Sequence, residues 1–283
     1  MSQNGPLAPP EMDGRTFRAI AAIAGEIAGL SLPSTKKTMV SVRLSRRLSR
    51  LAVSSFEEYL GIISVPGSPE RRRMVAALTT NVSTFFREPH HFDALRSAIL
   101  PPLIENARRG ERLRIWSAGC ANGQEAYSIA LTLLELAPDA ASLDIRILGT
   151  DIDPSVVRFA QLGAYHASMM TGVPTLLRDM HFSYDSSAQT YLASPAMRRM
   201  AIFRELNLHE PWPMPGRFDI IFCRNVVIYF DDKAQVSLWT RLKSKLKERG
   251  WLLVGHSERL VGKSADGLEL AQHTIYQREE PAF

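Results

Sequence analysis

The sequence predicts an α/β protein with a mostly parallel sheet, preceded by a small all-helical domain. Three observations carry this. Residues 15–87 show helical periodicity with short breaks; from Leu113 onward, apolar runs of strand length alternate with helical patterns; and those runs pass abruptly into small or polar residues. Strands alternating with helices imply parallel pairing through right-handed crossovers, and such a sheet sets its ligand site beyond the carboxyl ends of the strands. At 283 residues the chain exceeds one ordinary domain.

Composition narrows the function classes. With 45% hydrophobic and 22% charged residues, the chain has the make-up of a globular protein with a sizeable core. A formal net charge of +5 points to an acidic partner, which nucleic acid, anionic lipid or an acidic protein surface would satisfy. No apolar run approaches the roughly 18 residues of a membrane span. The opening MSQNGPLAPPEMDG has neither the basic nor the apolar region of a secretory signal. Cys120 and Cys223 are too few for a disulfide framework, so a reducing cytoplasm is expected.

Residues 1–14, polar and rich in Pro and Gly, are expected to be a disordered tail. Residues 15–87 form the helical domain and its connection to the next. Phe17, Ile20, Ile23, Ala24 and Ile27 mark one helix, which stops near Gly29. Ser41 to Leu51, Ser55 to Ile63 and Glu70 to Leu78 mark three more, with Pro66, Gly67, Ser68 and Pro69 as punctuation. The second helix is the informative one. Arg43, Arg46, Arg47 and Arg50 stand at i, i+3, i+4 and i+7 and share a face, while Leu44, Leu48 and Leu51 occupy another. A charged helix face is ordinarily solvated surface, but such faces mix signs and this one interleaves no acid; it suits docking to acidic protein or phosphate.

Residues 88–283 form the α/β domain, opening with a helix from about His90 to Ala107. Leu113 to Ala137 then reads as strand, tight loop and helix. An apolar run ends at Trp116, small residues carry Gly119 and Gly123, and Ala126, Ile129, Ala130, Leu133, Leu134 and Ala137 form one buried helical face. The loop lacks GxGxxG spacing, so a dinucleotide fold is not indicated. A second strand, Asp144 to Gly149, ends in Thr150, Asp151, Ile152, Asp153 and Pro154, ahead of a helix from Ser155 to Leu162. Alternating segments at Thr190 to Leu192 and Met200 to Phe203 predict a β-hairpin inserted over about 180–206, with its turn at SPAMRR. Phe218 to Phe222 is a strand with the apolar run IIF at its centre that runs into Cys223, Arg224 and Asn225, and Lys233 to Leu246 is a helix. Trp251 to Val254 and His273 to Gln277 close the sheet with an antiparallel edge.

The strand ends define a chemistry. They deliver, in turn, the Gly119 loop, Asp151, the group Cys223, Arg224 and Asn225, and finally Gly255 and His256. An acid placed like Asp151 accepts hydrogen bonds from two ribose hydroxyls; the alternative is a turn-capping Asp, a job Asp153 also fits. The histidines show no metal-ligand spacing, Ser257 lacks the GxSxG elbow, and no Walker loop is present. A ligand with ribose but no phosphate requirement fits better, which points to S-adenosylmethionine. Cys120 and Cys223 sit at strand ends expected to be neighbours; oxidation there is expected to impair cofactor binding, unless both are simply buried small hydrophobes.

The strings TKKTMVSVRLSRRLSRL, TTNVSTFFREPHHF, WSAGCANGQEAYSIA, GTDID, Asn207-Leu208, FDIIFCRNVVIYF and LVGHSE resemble those of the CheR family, the chemoreceptor glutamate methyltransferases of bacterial chemotaxis, over about residues 15–280. The resemblance implies a class I, Rossmann-like methyltransferase sheet with an inserted β-hairpin subdomain behind the helical domain. It implies S-adenosyl-L-methionine as donor, S-adenosyl-L-homocysteine as product, and glutamates on the cytoplasmic helices of methyl-accepting chemoreceptors as acceptors. A cytoplasmic monomer recruited to membrane-bound receptor arrays is expected, without membrane insertion or nucleic-acid binding.

Position by position, the resemblance implies that Asn81, Ser83 and Arg87 close over the cofactor, with Ser83 standing where Thr is more usual. Gly119 would line the methionine portion, Asp151 hold the ribose, and Glu125 face the ammonium group, although Asn122 and Glu125 also have the spacing of a capping box. Asn207, Leu208, Arg224 and Asn225 would meet the adenine and methionine ends. Tyr229 is expected nearest the chemistry, orienting an acceptor carboxylate oxygen, with packing beside Phe230 as the alternative. The arginine helix would dock on the acidic receptor surface. Some family members grip a receptor C-terminal peptide tether with a Gly-rich hairpin loop; Phe182 to Leu206 contains no glycine, so no pentapeptide tether is expected to be needed. Two rivals stand beside this reading. A nucleic-acid methyltransferase fits the basic charge but would carry a D/N-P-P-Y/F loop where this chain has CRNVVIYF, and a non-catalytic cofactor-binding scaffold of the receptor array is the other.

Overall fold

The computed structural model describes residues 11–260 and 265–280. The chain divides into two compact units, one of Met1–Thr80 with Tyr229–Ala234, the other of Asn81–Ile228 with Gln235–Phe283. This division falls ahead of the boundary expected at residue 87.

The helical unit holds α1 (Gly14–Ala28), α2 (Lys37–Leu51), α3 (Phe56–Ser64) and α4 (Pro69–Leu78). Asp13 caps α1, accepting from the Thr16 backbone N–H at 2.6 Å, and Gly29 ends it at φ +67°, a left-handed conformation that costs glycine nothing. The tail expected through residue 14 therefore gives way sooner, since Met12 is buried and Asp13 is a cap; residues 1–10 lie outside the described residues. Ser55 caps α3, and Ser68 followed by Pro69 opens α4. Phe17, Ile20, Leu44, Leu48, Phe56, Tyr59 and Met74 form the core. The segment Tyr229–Ala234 joins this unit because Leu30 bridges Phe230 in antiparallel fashion and Ser31 N–H donates to the Tyr229 carbonyl at 2.7 Å.

The α/β unit begins with α5 (Pro89–Ala94), a π-helical turn (Leu95–Ile99) and α6 (Leu100–Arg108). Pro101 and Pro102 have no N–H to give the preceding turn, and the Leu100 N–H reaches back to the Leu95 carbonyl, which widens the helix there. There follow β1 (Leu113–Ala118), α7 (Gln124–Leu136), β2 (Ile145–Asp151), α8 (Pro154–Leu162), β3 (Ala164–His166), α9 (Thr175–His181), β4 (Phe182–Asp185), β5 (Thr190–Ala193), α10 (Pro195–Met200), β6 (Ala201–Glu205), β7 (Phe218–Cys223), α11 (Asp232–Lys245), β8 (Leu246–Val254), β9 (Leu268–Gln272) and β10 (Ile275–Arg278).

Among the described residues, seven strands form one sheet in the order β6-β2-β1-β7-β8-β10-β9. The first five are parallel, and β10 is antiparallel to both its neighbours, which gives the mostly parallel, Rossmann-like sheet the sequence predicts. Every residue of β7 is buried, as a central parallel strand covered on both faces requires.

The inserted hairpin differs from expectation. Its arms are β4 and β5, with β3 as third strand of a separate antiparallel sheet. The expected second arm, β6, instead pairs parallel with β2 at the edge of the main sheet. Alternating periodicity is common to both settings, so it does not say which sheet a strand joins. The expected turn SPAMRR is α10, capped by Ser194 with Pro195 at its first position; the hairpin turns at 186–189, where Asp185 Oδ1 accepts from the backbone N–H groups of Ser187 and Ala188.

Candidate functional site

β1 lies between β2 and β7, with Ala118 level with Thr150 on one side and Cys223 on the other. The Gly119 loop, Asp151 and Arg224 therefore leave the sheet side by side. Gly119 has φ +82°, and a Cβ there would stand 2.4 Å from Val226 Cγ2. Both the backbone conformation and the approach of the loop after β7 demand glycine.

Asp151 is buried; its Oδ2 accepts from Ala121 N–H at 2.9 Å and its Oδ1 from Asp153 N–H at 3.0 Å. The capping role falls to Asp153, whose Oδ1 accepts from Ser155 N–H at 2.8 Å at the start of α8. A carboxylate oxygen has two lone pairs, so each Asp151 oxygen keeps acceptor capacity beyond these bonds. Burial pushes its carboxyl above the ordinary value, against the pull of the backbone N–H groups. Leu206 N–H donates to the Asp151 carbonyl at 2.9 Å, which brings Asn207 and the buried Leu208 alongside. The Asn207 side chain braces its own turn, accepting from His209 N–H at 3.0 Å and donating to Glu210 at 3.2 Å.

Glu125 does not form the capping box that its spacing allows, since Gly123 caps α7 without a side-chain bond. Its Oε1 accepts from Ser117 Oγ at 2.6 Å and its Oε2 lies 2.9 Å from Arg224 Nε, close but off hydrogen-bond alignment. Burial raises the Glu125 carboxyl, opposed first by Arg224 and then by Ser117. Arg224 is itself buried, and its Nη1 donates to His91 Nδ1 at 2.8 Å. Because a guanidinium only donates, Nδ1 is the acceptor and the proton of the neutral ring sits on Nε2, 2.8 Å from Thr274 Oγ1. Burial and the Arg224 charge hold His91 down to about 2. Glu88 completes the surround: burial acts to raise its carboxyl, but Arg224 and His256 together bring it below the ordinary value.

The histidine spacing predicts no metal site, yet ligand atoms of Glu88, His90 and His91 lie within 4.8 Å of one another. The Arg224 guanidinium already occupies His91 Nδ1, and an ion there would face its charge.

Asn81 Nδ2 donates to Asp153 Oδ2 at 2.9 Å, Arg87 Nη1 donates to the Val82 carbonyl at 3.1 Å, and Ser83 is half-buried. These three belong to the α/β unit, together with Gly119, Glu125, Asp151, Asn207, Leu208, Arg224 and Asn225, whereas Tyr229 and the α2 arginines belong to the helical unit.

Two contributors escape sequence reasoning. His91 is the first, and Glu258 the second. The buried Glu258 carboxylate accepts four backbone N–H groups, Gly255 at 2.7 Å and Asn225 at 2.8 Å on Oε2, Val226 at 2.8 Å and Val227 at 2.9 Å on Oε1. The LVGHSE string signals that the stretch matters, but nothing in its pattern marks an acid as buried.

The arginine face is narrower than its spacing predicts. Arg43 donates to the carbonyls of Leu78 and Thr79 and to Thr80 Oγ1 at the end of α4. Arg47 forms a two-pronged pair with buried Glu70 at 2.8 and 2.6 Å, and Tyr59 OH joins at 3.1 Å. The missing acid comes from α4, which a single-helix pattern cannot show. Arg46 and Arg50 are exposed and form no ion pair among the described residues. Cys120 and Cys223 are both buried free thiols that burial pushes well above their ordinary value, so the thiolate needed for oxidation is disfavoured and the expected redox sensitivity is not supported.

Residues 81–277 match the family profile described as CheR methyltransferase, SAM binding domain, and residues 15–79 match CheR methyltransferase, all-alpha domain. The chain belongs to the CheR family. A probable chemotaxis protein methyltransferase of Rhizobium etli is 45% identical, over 88% of this chain and 94% of that protein. Chemotaxis protein methyltransferase 2 of Pseudomonas aeruginosa is 38% identical over 88% of each chain, and the chemotaxis protein methyltransferase of Borreliella burgdorferi is 34% identical over 88% of this chain and 89% of that one. As a CheR protein, the chain is a chemotaxis protein methyltransferase with a domain that binds S-adenosylmethionine. Among the described residues, no helix is long and apolar enough to cross a membrane.

Proposed function

We propose that this CheR protein methylates glutamate side-chain carboxylates on the cytoplasmic helices of chemoreceptors, giving glutamyl methyl esters, in the cytoplasm at the receptor arrays. The observation that carries the proposal is the grouping of Asp151, the Glu125–Arg224 pair and Gly119 at three adjacent strand ends. This set fits S-adenosylmethionine, a cation with a ribose and an amino-acid end. Asp151, with an unused lone pair on each oxygen, holds the ribose hydroxyls. Glu125 meets the ammonium group, with the Arg224 charge opposing the rise that burial gives its carboxyl. Asn207 and Leu208 take the adenine end, Asn225 and the Gly119 loop the methionine end, and Asn81, Ser83 and Arg87 close over both.

The cofactor supplies a sulfonium-bound methyl group, whose transfer to a carboxylate oxygen leaves a neutral thioether. An acceptor glutamate is ionised near pH 7, so no residue has to take a proton. The protein's work is alignment and exclusion of water. Tyr229 orients one acceptor oxygen through its hydroxyl. Arg46 and Arg50, the exposed pair on α2, dock on the acidic receptor helices, with Arg43 and Arg47 behind them as the fixed part of that face. The hairpin turn at 186–189 contains no glycine, which supports methylation without a receptor pentapeptide tether; tight binding of such a pentapeptide in calorimetry would overturn that part.

Incubation with methyl-labelled S-adenosylmethionine and receptor, followed by base, tests the reaction. Carboxyl methyl esters release volatile labelled methanol. Label retained through base would indicate N-methylation, and no incorporation would indicate a scaffold.

A further inference from the structure

Glu258 stands in a tight turn after β8, closed by its own N–H donating to the Gly255 carbonyl at 2.8 Å. The turn folds its carboxylate back so that it is 2% exposed and receives four backbone N–H groups, one from its own turn and three from the consecutive residues Asn225, Val226 and Val227 after β7. Charge-assisted bonds of this kind are stronger than neutral ones, and here they converge on one group. The spacing is tight enough that a Cβ on Gly255 would lie 2.7 Å from Asn225 Nδ2 and 2.8 Å from Glu258 Oε2. Asn225 sits at φ +59°, a conformation that a non-glycine residue keeps only when its surroundings impose it. Val226, the middle residue held by the carboxylate, is the one that packs on Gly119.

We infer that Glu258 is a positioning residue for the cofactor site: its carboxylate presets the Asn225–Val227 turn, and through it the seat of Asn225 and the contact of Val226 with the Gly119 loop. The inference rests on the strand-end cofactor site proposed above. Glu258 touches no ligand in this role. Its effect passes entirely through backbone that other residues use. Glutamine has the same shape, but its amide nitrogen would point hydrogens at N–H donors, so an isosteric change is enough to break the cradle.

The test pairs hydrogen exchange with calorimetry on the full chain. In the unmodified protein without ligand, the amides of Asn225, Val226, Val227 and Gly255 should exchange slowly, as strand amides do. Free exchange at these four positions overturns the inference without any variant having to fold. In Glu258→Gln the same four amides should become exposed to exchange while β1 and β2 stay protected, and S-adenosylhomocysteine should bind at least about tenfold more weakly. Glu258→Asp, which keeps the charge on a shorter arm, should recover part of that loss. Wild-type affinity in Glu258→Gln, alongside lost affinity in Asp151→Asn, would sink the inference and spare the site. Wild-type affinity in Asp151→Asn would instead refute the strand-end site, and the exchange pattern alone would then decide what Glu258 holds.

Discussion

Buried Asp151 and Glu258 and half-buried Glu125 are three acids kept in place by different means. Asp151 leans on two backbone N–H groups, Glu125 on Ser117 and an arginine, and Glu258 on four backbone N–H groups. Only the first two keep acceptor capacity beyond their protein partners. Asp151→Asn should therefore weaken S-adenosylhomocysteine binding by about tenfold to a hundredfold, the worth of a charge-assisted hydrogen bond, as titration calorimetry would read. His91 offers a second check through pH. Its ring is held neutral in the fold, with its proton affinity lowered from 6.5 to about 2, so below 6.5 the unfolded chain takes up a proton that the folded chain refuses. Its stabilising share is full above pH 6.5 and is lost as pH falls. From about pH 7.5 to about pH 5, wild type should lose about 2 kcal/mol more than His91→Gln in urea titrations. At this scale the strand-end residues Gly119, Asp151 and Arg224 were legible in the sequence, because a strand end is a local pattern. His91 and Glu258 were not, because their partners Arg224, Thr274 and Asn225 are distant in the chain.

At the scale of elements, α2 shows how a regular spacing conceals a division of labour. Arg43 and Arg47 tie α2 to α4, and Arg46 and Arg50 face outward. Substituting glutamate at both Arg46 and Arg50 should raise the KM for receptor several-fold and leave cofactor affinity and thermal midpoint unchanged. Arg47→Ala should act oppositely: the Glu70 carboxylate, 4% exposed, would lose its two-pronged partner and keep only the exposed Arg73 at 3.7 Å and the Tyr59 hydroxyl, at a cost of about 3 kcal/mol in unfolding free energy. If both variants affected only receptor KM, the division would be wrong. The longer helices and the parallel strands β1, β2, β7 and β8 were readable from periodicity because each buries a continuous face. The hairpin was misplaced because alternation fixes which side chains point inward but not the partner strand, and because Ser194-Pro195 opens a helix as readily as a turn.

At the scale of the whole molecule, the net charge of +5 bears on encounter rather than on chemistry. Association with an acidic receptor helix should slow by about tenfold or more between roughly 0.03 and 0.3 M salt in stopped-flow measurements, while the single-turnover rate of the bound complex stays constant. An association rate indifferent to salt would remove electrostatic steering from the account.

The placement of β10 between β8 and β9 carries a consequence for a clipped chain. Thr274, immediately before β10, accepts a hydrogen bond from His91 Nε2, and His91 in turn orients Arg224. A chain cut ahead of His273 would retain every residue expected to touch the cofactor and leave the long edge of β8 open to other strands. Its arginine would lose the brace that sets its direction. The brace on Arg224 thus comes from the C-terminal hairpin, and a chain clipped there should keep its parallel strands while holding its ligand more weakly.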